Sequence, residues 1–181
     1  MAKLQIVKIG NPLLRRKIKN LPFSQLKTRK FKKIFQQMVR AMRRMNGVGL
    51  AANQVGLNHR VVVLECRSNP RYPRANDFPL EIWINPKIIK YSKEKEEGWE
   101  GCLSIPGYRG LVPRAKWVTF EALTPEGEKV RQTVKGFHAR VIQHEVDHVN
   151  GFFYMDRMKH LHSWMHLDEF NHRSRSHVKD H

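Results

Sequence analysis

The run His144-Glu145-Val146-Asp147-His148 concentrates side chains able to do chemistry. On an α-helix successive residues turn by about 100°. Histidines at i and i+4 therefore sit one turn apart on one face, where both imidazoles reach a single ion. The pattern H-E-x-x-H is a recognised arrangement of two metal ligands with a carboxylate beside them. A bound divalent metal lowers the pKa of its water from about 16 towards 7, so hydroxide becomes available at neutral pH. Glu145 stands next to the first histidine, suited to accept that proton and pass it to a leaving nitrogen. The bland alternative is a surface helix with two chance histidines. Val141, Ile142, Val146 and Val149 weigh against it, because they make the helix apolar on nearly all sides and hence central. Buried imidazoles and carboxylates need polar partners, and a metal supplies one.

Such a site needs a third ligand. In one known extension that ligand is a histidine downstream of a glycine. Here Gly151 is followed by Phe152, Phe153 and Tyr154, and His160 does not fit the spacing; Asp156 stays open, close to the helix end. Upstream, Cys102 sits in Glu100-Gly101-Cys102-Leu103-Ser104-Ile105-Pro106-Gly107. A thiolate binds zinc or iron(II) strongly, and a glycine lets the backbone pass close to the ion. A lone cysteine is more often a small buried apolar residue. Cys66, at the end of the apolar run RVVVLEC, fits that reading; Cys102, among Gly, Ser and Pro, does not. A third segment, Gly47-Val48-Gly49-Leu50-Ala51-Ala52-Asn53-Gln54, reads as a tight loop that approaches something closely. Alone it is equally an ordinary helix cap and turn, and it lacks the strand and spacing of a dinucleotide loop.

Together and in this order, these three segments resemble the three motifs of the peptide deformylases, and Gly10-Asn11-Pro12-Leu13-Leu14-Arg15 resembles that family's opening segment. The likeness spans roughly residues 4–158. It implies that Cys102, His144 and His148 hold the metal, with water in the open position. It implies that Glu145 is the general base and acid, and that Gln54 and the backbone N–H of Leu103 stabilise the oxyanion. The implied reaction is hydrolysis of nascent formyl-methionyl polypeptides to formate and a free N-terminus. The implied metal is iron(II), although zinc, nickel or cobalt suits the same ligands. By position, Val48, Phe137 and Val141 are candidates for the methionine pocket, and each reads equally as core. Gly101 joins the substrate-binding residues, and backbone groups of Val48, Gly49 and Gly107 are placed to pair with an extended peptide as an added strand. Arg140 stands where an apolar residue is usual; it points outward or pairs with a substrate carbonyl. Asp147 and Arg114 are expected to form a buried pair that orients the metal helix, with plain surface solvation as the other reading.

Two rival functions use the same residues. A zinc peptidase built on H-E-x-x-H differs in its ligand set, because it holds metal without Cys102. A basic RNA-binding module differs in needing no chemistry, and the intact Glu145 and Gln54 argue against it.

Several elements must position these residues. Residues 4–9 read as a short extended segment stopped by Gly10-Asn11-Pro12. Residues 24–45 read as one amphipathic helix, capped by Ser24 or Thr28. Its stripe is Phe31, Ile34, Phe35, Met38, Met42 and Met45, and Asn46-Gly47 ends it. Strands are expected at 60–66, 80–85 and 87–91, with 67–79 a long loop able to shape access to the site. A hairpin joins 116–123 to 128–134 through Thr124-Pro125-Glu126-Gly127. Residues 136–149 form a buried helix closed by Asn150-Gly151. The sum is an α+β fold, with mixed or antiparallel sheets packed around a central metal-binding helix.

The 181 residues suit one domain, and no internal repeat is visible. We divide the chain into a catalytic domain over 1–158 and a basic, His-rich extension over 159–181 that holds His160, His162, His166, His172, His177 and His181. The net charge of +18 is uneven, since no Asp or Glu precedes Glu65. A solvated basic face and transient contact with ribosomal RNA explain it equally. Two cysteines make no disulfide framework and suit a reducing compartment. No apolar run spans a membrane and the N-terminus lacks a signal-peptide block, so the expected location is a bacterial cytoplasm, with an organelle as alternative.

Overall fold

The computed structural model describes residues 3–176; His177 and His181 of the expected tail lie outside the described residues. The chain opens with two helices, α1 (Phe23–Leu26) and α2 (Arg29–Arg44). Seven strands follow: β1 (Gly49–Ala51), β2 (Val61–Cys66), β3 (Phe78–Tyr91), β4 (Lys95–Cys102), β5 (Ile105–Ala115), β6 (Trp117–Leu123) and β7 (Lys129–Lys135). Then come α3 (Gly136–Val149), β8 (Met165–His166) and α4 (Leu167–Ser176). One sheet has five strands in the order β1-β2-β3-β6-β7, the other three in the order β4-β5-β8, and every pairing is antiparallel. Among the described residues no helix is long and apolar enough to cross a membrane.

The alternation along β2 explains why VVVLEC is apolar at every position but Glu65. Val62, Leu64 and Cys66 join Ile142, Val146 and Val149 of α3 in one core cluster. Val61 and Val63 join Phe35, Met38 and Met42 of α2 in another. Neighbouring strand residues point to opposite faces, so β2 is covered on both. Full burial of each such side chain contributes about 1.5–3 kcal/mol. Several of them together hold α3 in the interior despite the charged groups it carries.

The helix expected over 24–45 is two helices. Thr28 takes an extended conformation and its hydroxyl accepts from Phe31 N, so it caps α2 and breaks the chain after α1, leaving Ser24 inside α1. The strands expected at 80–85 and 87–91 are one strand, β3. Asn85 has φ +54 and Pro86 has no N–H to donate, and the register shifts between Ile84 and Lys87, so a bulge absorbs both. Residues 4–9 form no strand, but Val7 N donates to Gln54 O at 2.9 Å and Ile9 N to Ser104 O at 2.9 Å. That segment ties the first motif to the second. The hairpin at 124–127 and the end of α3 at Asn150 and Gly151 (φ +85) lie where the sequence puts them.

The β4–β5 hairpin has no counterpart among the strands expected from sequence. Its two long strands pair from Lys95↔Ala115 to Cys102↔Ile105. It places Cys102 at the rim of its turn. The extension also packs onto it: His166 and Met165 of β8 pair with Tyr108 and Arg109, and Phe170 of α4 meets Trp99 edge-on at 5.0 Å.

Candidate metal centre

Cys102 comes from the end of β4, and His144 and His148 come from one face of α3. Their ligand atoms all lie within 4.8 Å of one another. Cys102 Sγ is 3.2 Å from His148 Nε2, which is 3.1 Å from His144 Nε2. Cys102 and His148 are buried and His144 nearly so.

The far side of His144 faces a carboxylate: Nδ1 is 2.9 Å from Glu100 Oε2. Glu100 accepts the Arg114 fork at 2.9 and 3.0 Å and a further bond from Arg140 at 3.0 Å. Arg114 also donates to Asp147, which accepts two bonds from Arg157 at 2.7 and 3.1 Å. The Arg114–Asp147 pair is thus present as part of a larger chain that joins β4 to α3. Glu100 lies two residues before Cys102, and Asp147 one before His148. Burial works to raise Glu100, but Arg114 and His144 outweigh it and hold its carboxyl well below the usual range. Arg140 does not point outward: its side chain turns in to the β4–β5 hairpin at the edge of the cavity beside the metal site. Its guanidinium donates to Glu100 and to the carbonyls of Glu96, Gly98 and Val112. Residue 98 is glycine because a Cβ there would lie 2.7 Å from Arg140 Cζ.

The first motif supplies the opposite wall. Gln54 Oε1 accepts from Ala51 N at 2.9 Å, which turns its Nε2 to Ser104 Oγ (3.2 Å) and Cys102 Sγ (3.4 Å). Ser104 N also donates to that sulfur at 3.4 Å. Two N–H groups thus point at the sulfur and fix its position. Asn53 Nδ2 donates to His148 O at 2.7 Å and braces α3. Glu145 is buried, and its Oε2 has no hydrogen-bond partner. A Cβ at Gly49 would lie 2.3 Å from Glu145 Oε1, so the backbone passes directly against this carboxylate. Burial pushes Glu145 up to about 7; His144 opposes the shift and Glu100 adds to it.

Two imidazoles share this pocket unequally. Burial disfavours charge on both. On His144, bonds to Cys102 and Glu100 outweigh burial and move it above its ordinary value, while His148 is driven well below its ordinary value by burial and by His144. The two rings and the sulfur converge on one point, where a divalent cation would serve all three. The donor set of one thiolate and two imidazoles, with His144 oriented by a carboxylate, fits such an ion.

A cavity of about 30 Å³ adjoins these groups. Val48, Phe137 and Val141, expected in the methionine pocket, line it with Gly49, Gly101 and Leu103. Gly107 does not line it: at φ +78 it stands beside His166. Asp156 is not a ligand, because it bonds Arg15 and Phe153 N, and His160 stacks on His162. Sequence reasoning gave Glu100 no role, although it lies inside the second motif and His144 needs an acceptor for its second nitrogen. It also missed Arg71 and Tyr72 of the 67–79 loop, which line the cavity; Tyr72 Oη accepts from Gly101 N at 3.4 Å.

The family model of polypeptide deformylase matches residues 3–164. Peptide deformylase 1 of Nitrosomonas europaea is 40% identical over 163 residues, covering 90% of this chain and 92% of that protein. Peptide deformylase 2 of Pseudomonas putida is 41% identical over 154 residues, covering 85% and 86%. The K4U-bound class I type b peptide deformylase of Acinetobacter baumannii superposes with a TM-score of 0.85 at 38% identity, covering 88% of this chain and 100% of that one. Its Met-Ala-Ser-bound form gives a TM-score of 0.84 at 38% identity, covering 87% and 99%. This chain belongs to the polypeptide deformylase family.

Proposed function

We propose that Cys102, His144 and His148 hold the metal of this deformylase, that Glu145 moves the proton, and that Gln54 and the Leu103 N–H receive the developing oxyanion. As a member of its family the chain is a metal-dependent amide hydrolase that removes the N-terminal formyl group from nascent polypeptides and releases formate. The observation that carries the residue assignment is the convergence of three ligand atoms within 4.8 Å, next to a buried carboxylate oxygen with no partner.

When bound, a divalent metal supplies Lewis acidity and a water that ionises near neutral pH. Glu145 accepts the water proton and returns it to the leaving amide nitrogen. Gln54 is pre-set by Ala51 and Ser104, so its N–H reorganises little as charge develops. Each such donor is worth about 2.7–4 kcal/mol of barrier. Val48, Phe137 and Val141 take the methionine side chain, and backbone groups of Val48 and Gly49 pair with the extended peptide.

We read the metal as iron(II). The family likeness supports that choice, while the ligand chemistry alone admits zinc, nickel or cobalt. Bacterial relatives support a bacterial cytoplasmic location. We read 1–158 as the catalytic unit and 159–181 as an extension, of which Met165, His166 and Phe170 pack on the β4–β5 hairpin, and the uneven basic charge supports transient ribosomal RNA contact. Co-sedimentation with ribosomes at low salt tests that contact. Formate release from formyl-Met-Ala-Ser after loading with iron(II) tests the function. The assignment expects turnover by the loaded enzyme and loss of both metal and turnover in Cys102→Ala. Retained metal without Cys102 favours the zinc-peptidase ligand set instead.

A further inference from the structure

A groove of about 1140 Å³ runs outward from the catalytic cavity and shares Arg71, Tyr72, Phe137 and Arg140 with it. Its walls are the 67–79 loop, the β4–β5 hairpin and α4. No Asp or Glu lines it among the described residues. Four arginines do: Arg71, Arg74, Arg109 and Arg140. Arg140 is matched by Glu100. Arg71, Arg74 and Arg109 form no ion pair among the described residues, and several acids on the surrounding walls are engaged elsewhere. Glu97 pairs with Lys159, Glu100 with Arg114 and Arg140, and Asp77 accepts from Ser68 N.

Arg109 is the informative member. It is only 7% exposed and its Nε has no hydrogen-bond partner. Its guanidinium carbon lies 4.9 Å from the centres of both the Tyr72 and Phe170 rings, and Nη2 donates to Arg71 O at 2.8 Å. Rings and one carbonyl are its partners in place of a carboxylate. A buried guanidinium without a counter-ion is costly, so the fold sustains a positive field at this point of the groove. Arg71 stands at the junction with the catalytic cavity, since its Nη2 would lie 3.1 Å from a Cβ on Gly101, one residue before Cys102. An extended peptide leaving the cavity advances about 3.3 Å per residue, so the residues just after the methionine pass Arg71 first.

We propose that this groove selects formyl-methionyl peptides with a carboxylate in the first few residues after the methionine, with Arg71 as the principal contact, Arg74 at the outer wall and Arg109 sustaining the field. The proposal rests on the deformylase reading of the metal site. The carboxylate replaces the missing counter-ion, and low salt strengthens the effect because the groove is open to solvent.

The test compares kcat/KM for formyl-Met-Glu-Ser with formyl-Met-Gln-Ser, and for formyl-Met-Ala-Glu with formyl-Met-Ala-Gln. Peptides are C-terminally amidated, the enzyme is metal-loaded, and formyl-Met-Ala-Ser is the reference. Failure on the reference peptide rejects the function itself. With the reference cleaved, the proposal expects at least one glutamate peptide to exceed its glutamine twin by about tenfold at low salt, and this ratio to shrink in high salt. It expects the ratio, read within each variant, to fall towards one in Arg71→Gln and partly in Arg74→Gln. A ratio near or below one for both pairs in the wild type overturns the proposal, as does a preference unchanged by salt and by both substitutions. The ratio needs no assumption about how much basal activity a variant retains, and Arg74 is exposed, so its replacement leaves the folded chain intact to be measured.

Discussion

Glu100 Oε2 stands 2.9 Å from Nδ1 of His144, so this imidazole spends Nδ1–H on a carboxylate and turns the lone pair of Nε2 towards Cys102 and His148. Removing the carboxylate charge frees the ring to rotate and weakens it as a ligand. Glu100→Gln is expected to lower metal affinity about 10–100-fold, measured by chelator competition. It also leaves buried Arg114 with Asp147 as its one acid partner, so a stability loss of about 3–5 kcal/mol in denaturant titration is expected. Unchanged metal affinity contradicts the orienting role.

Gly49 passes so close to Glu145 that a methyl group cannot fit without moving the carboxylate. Displacement of a reacting group by about 1 Å costs on the order of 100-fold in rate. Gly49→Ala is therefore expected to lose about that much kcat while its metal content, read by elemental analysis, stays at the wild-type level. Full activity in this variant means that Glu145 has slack the structure does not show.

Gln54 is fixed by its bond from Ala51 N and aims its amide at Cys102 and Ser104. Gln54→Leu removes one oxyanion donor from a similar volume. The expected loss is about 10²–10³ in kcat with a much smaller change in KM. A rise in KM at constant kcat places Gln54 in ground-state binding instead.

Glu65 on β2 accepts the Arg43 fork at 2.6 and 2.8 Å, and its backbone N–H bonds Val48 O, so it ties the end of α2 to the glycine loop. The bond from Arg43 holds its carboxyl below the ordinary value, against burial. A depressed carboxylate stabilises the fold above its unfolded pKa of about 4.3 and loses that stabilisation as pH falls through the folded value. Arg43 is half exposed, so the contribution is screened to about 0.2–1 kcal/mol. Glu65→Gln is expected to be less stable than the wild type by that amount at pH 7, with the gap closing as pH drops towards 3. Denaturation midpoints at the two pH values check it; an equal gap at both assigns the effect to packing.

The candidate ligands were legible because their signal is local. The spacing of His144 and His148 needs only a helix, and the apolar residues around them place that helix inside. The α2 stripe from Phe31 to Met42 and the turn at 124–127 follow from equally short-range rules, whereas Met45, expected on that stripe, caps the helix and is exposed. The β4–β5 hairpin was hidden because its outer half, Lys95 to Glu97, is charged and exposed, and Pro106 and Pro113 interrupt β5. The two strands exist through pairing with each other, with Arg140 bonded to the carbonyls of both. Glu100 and Arg140 gain their meaning only when the hairpin meets α3, and no spacing along the chain announces that meeting. The break at Thr28 was one of two caps the sequence offered. The bulge at Asn85 follows from a positive φ that the Asn-Pro pair alone does not dictate.

X-ray absorption at the metal edge of the zinc-loaded protein tests the central claim most directly. The account predicts one sulfur at about 2.3 Å and two imidazole nitrogens at about 2.0–2.1 Å in the inner shell, with the sulfur lost in Cys102→Ser. A shell of nitrogen and oxygen alone in the wild-type protein contradicts it.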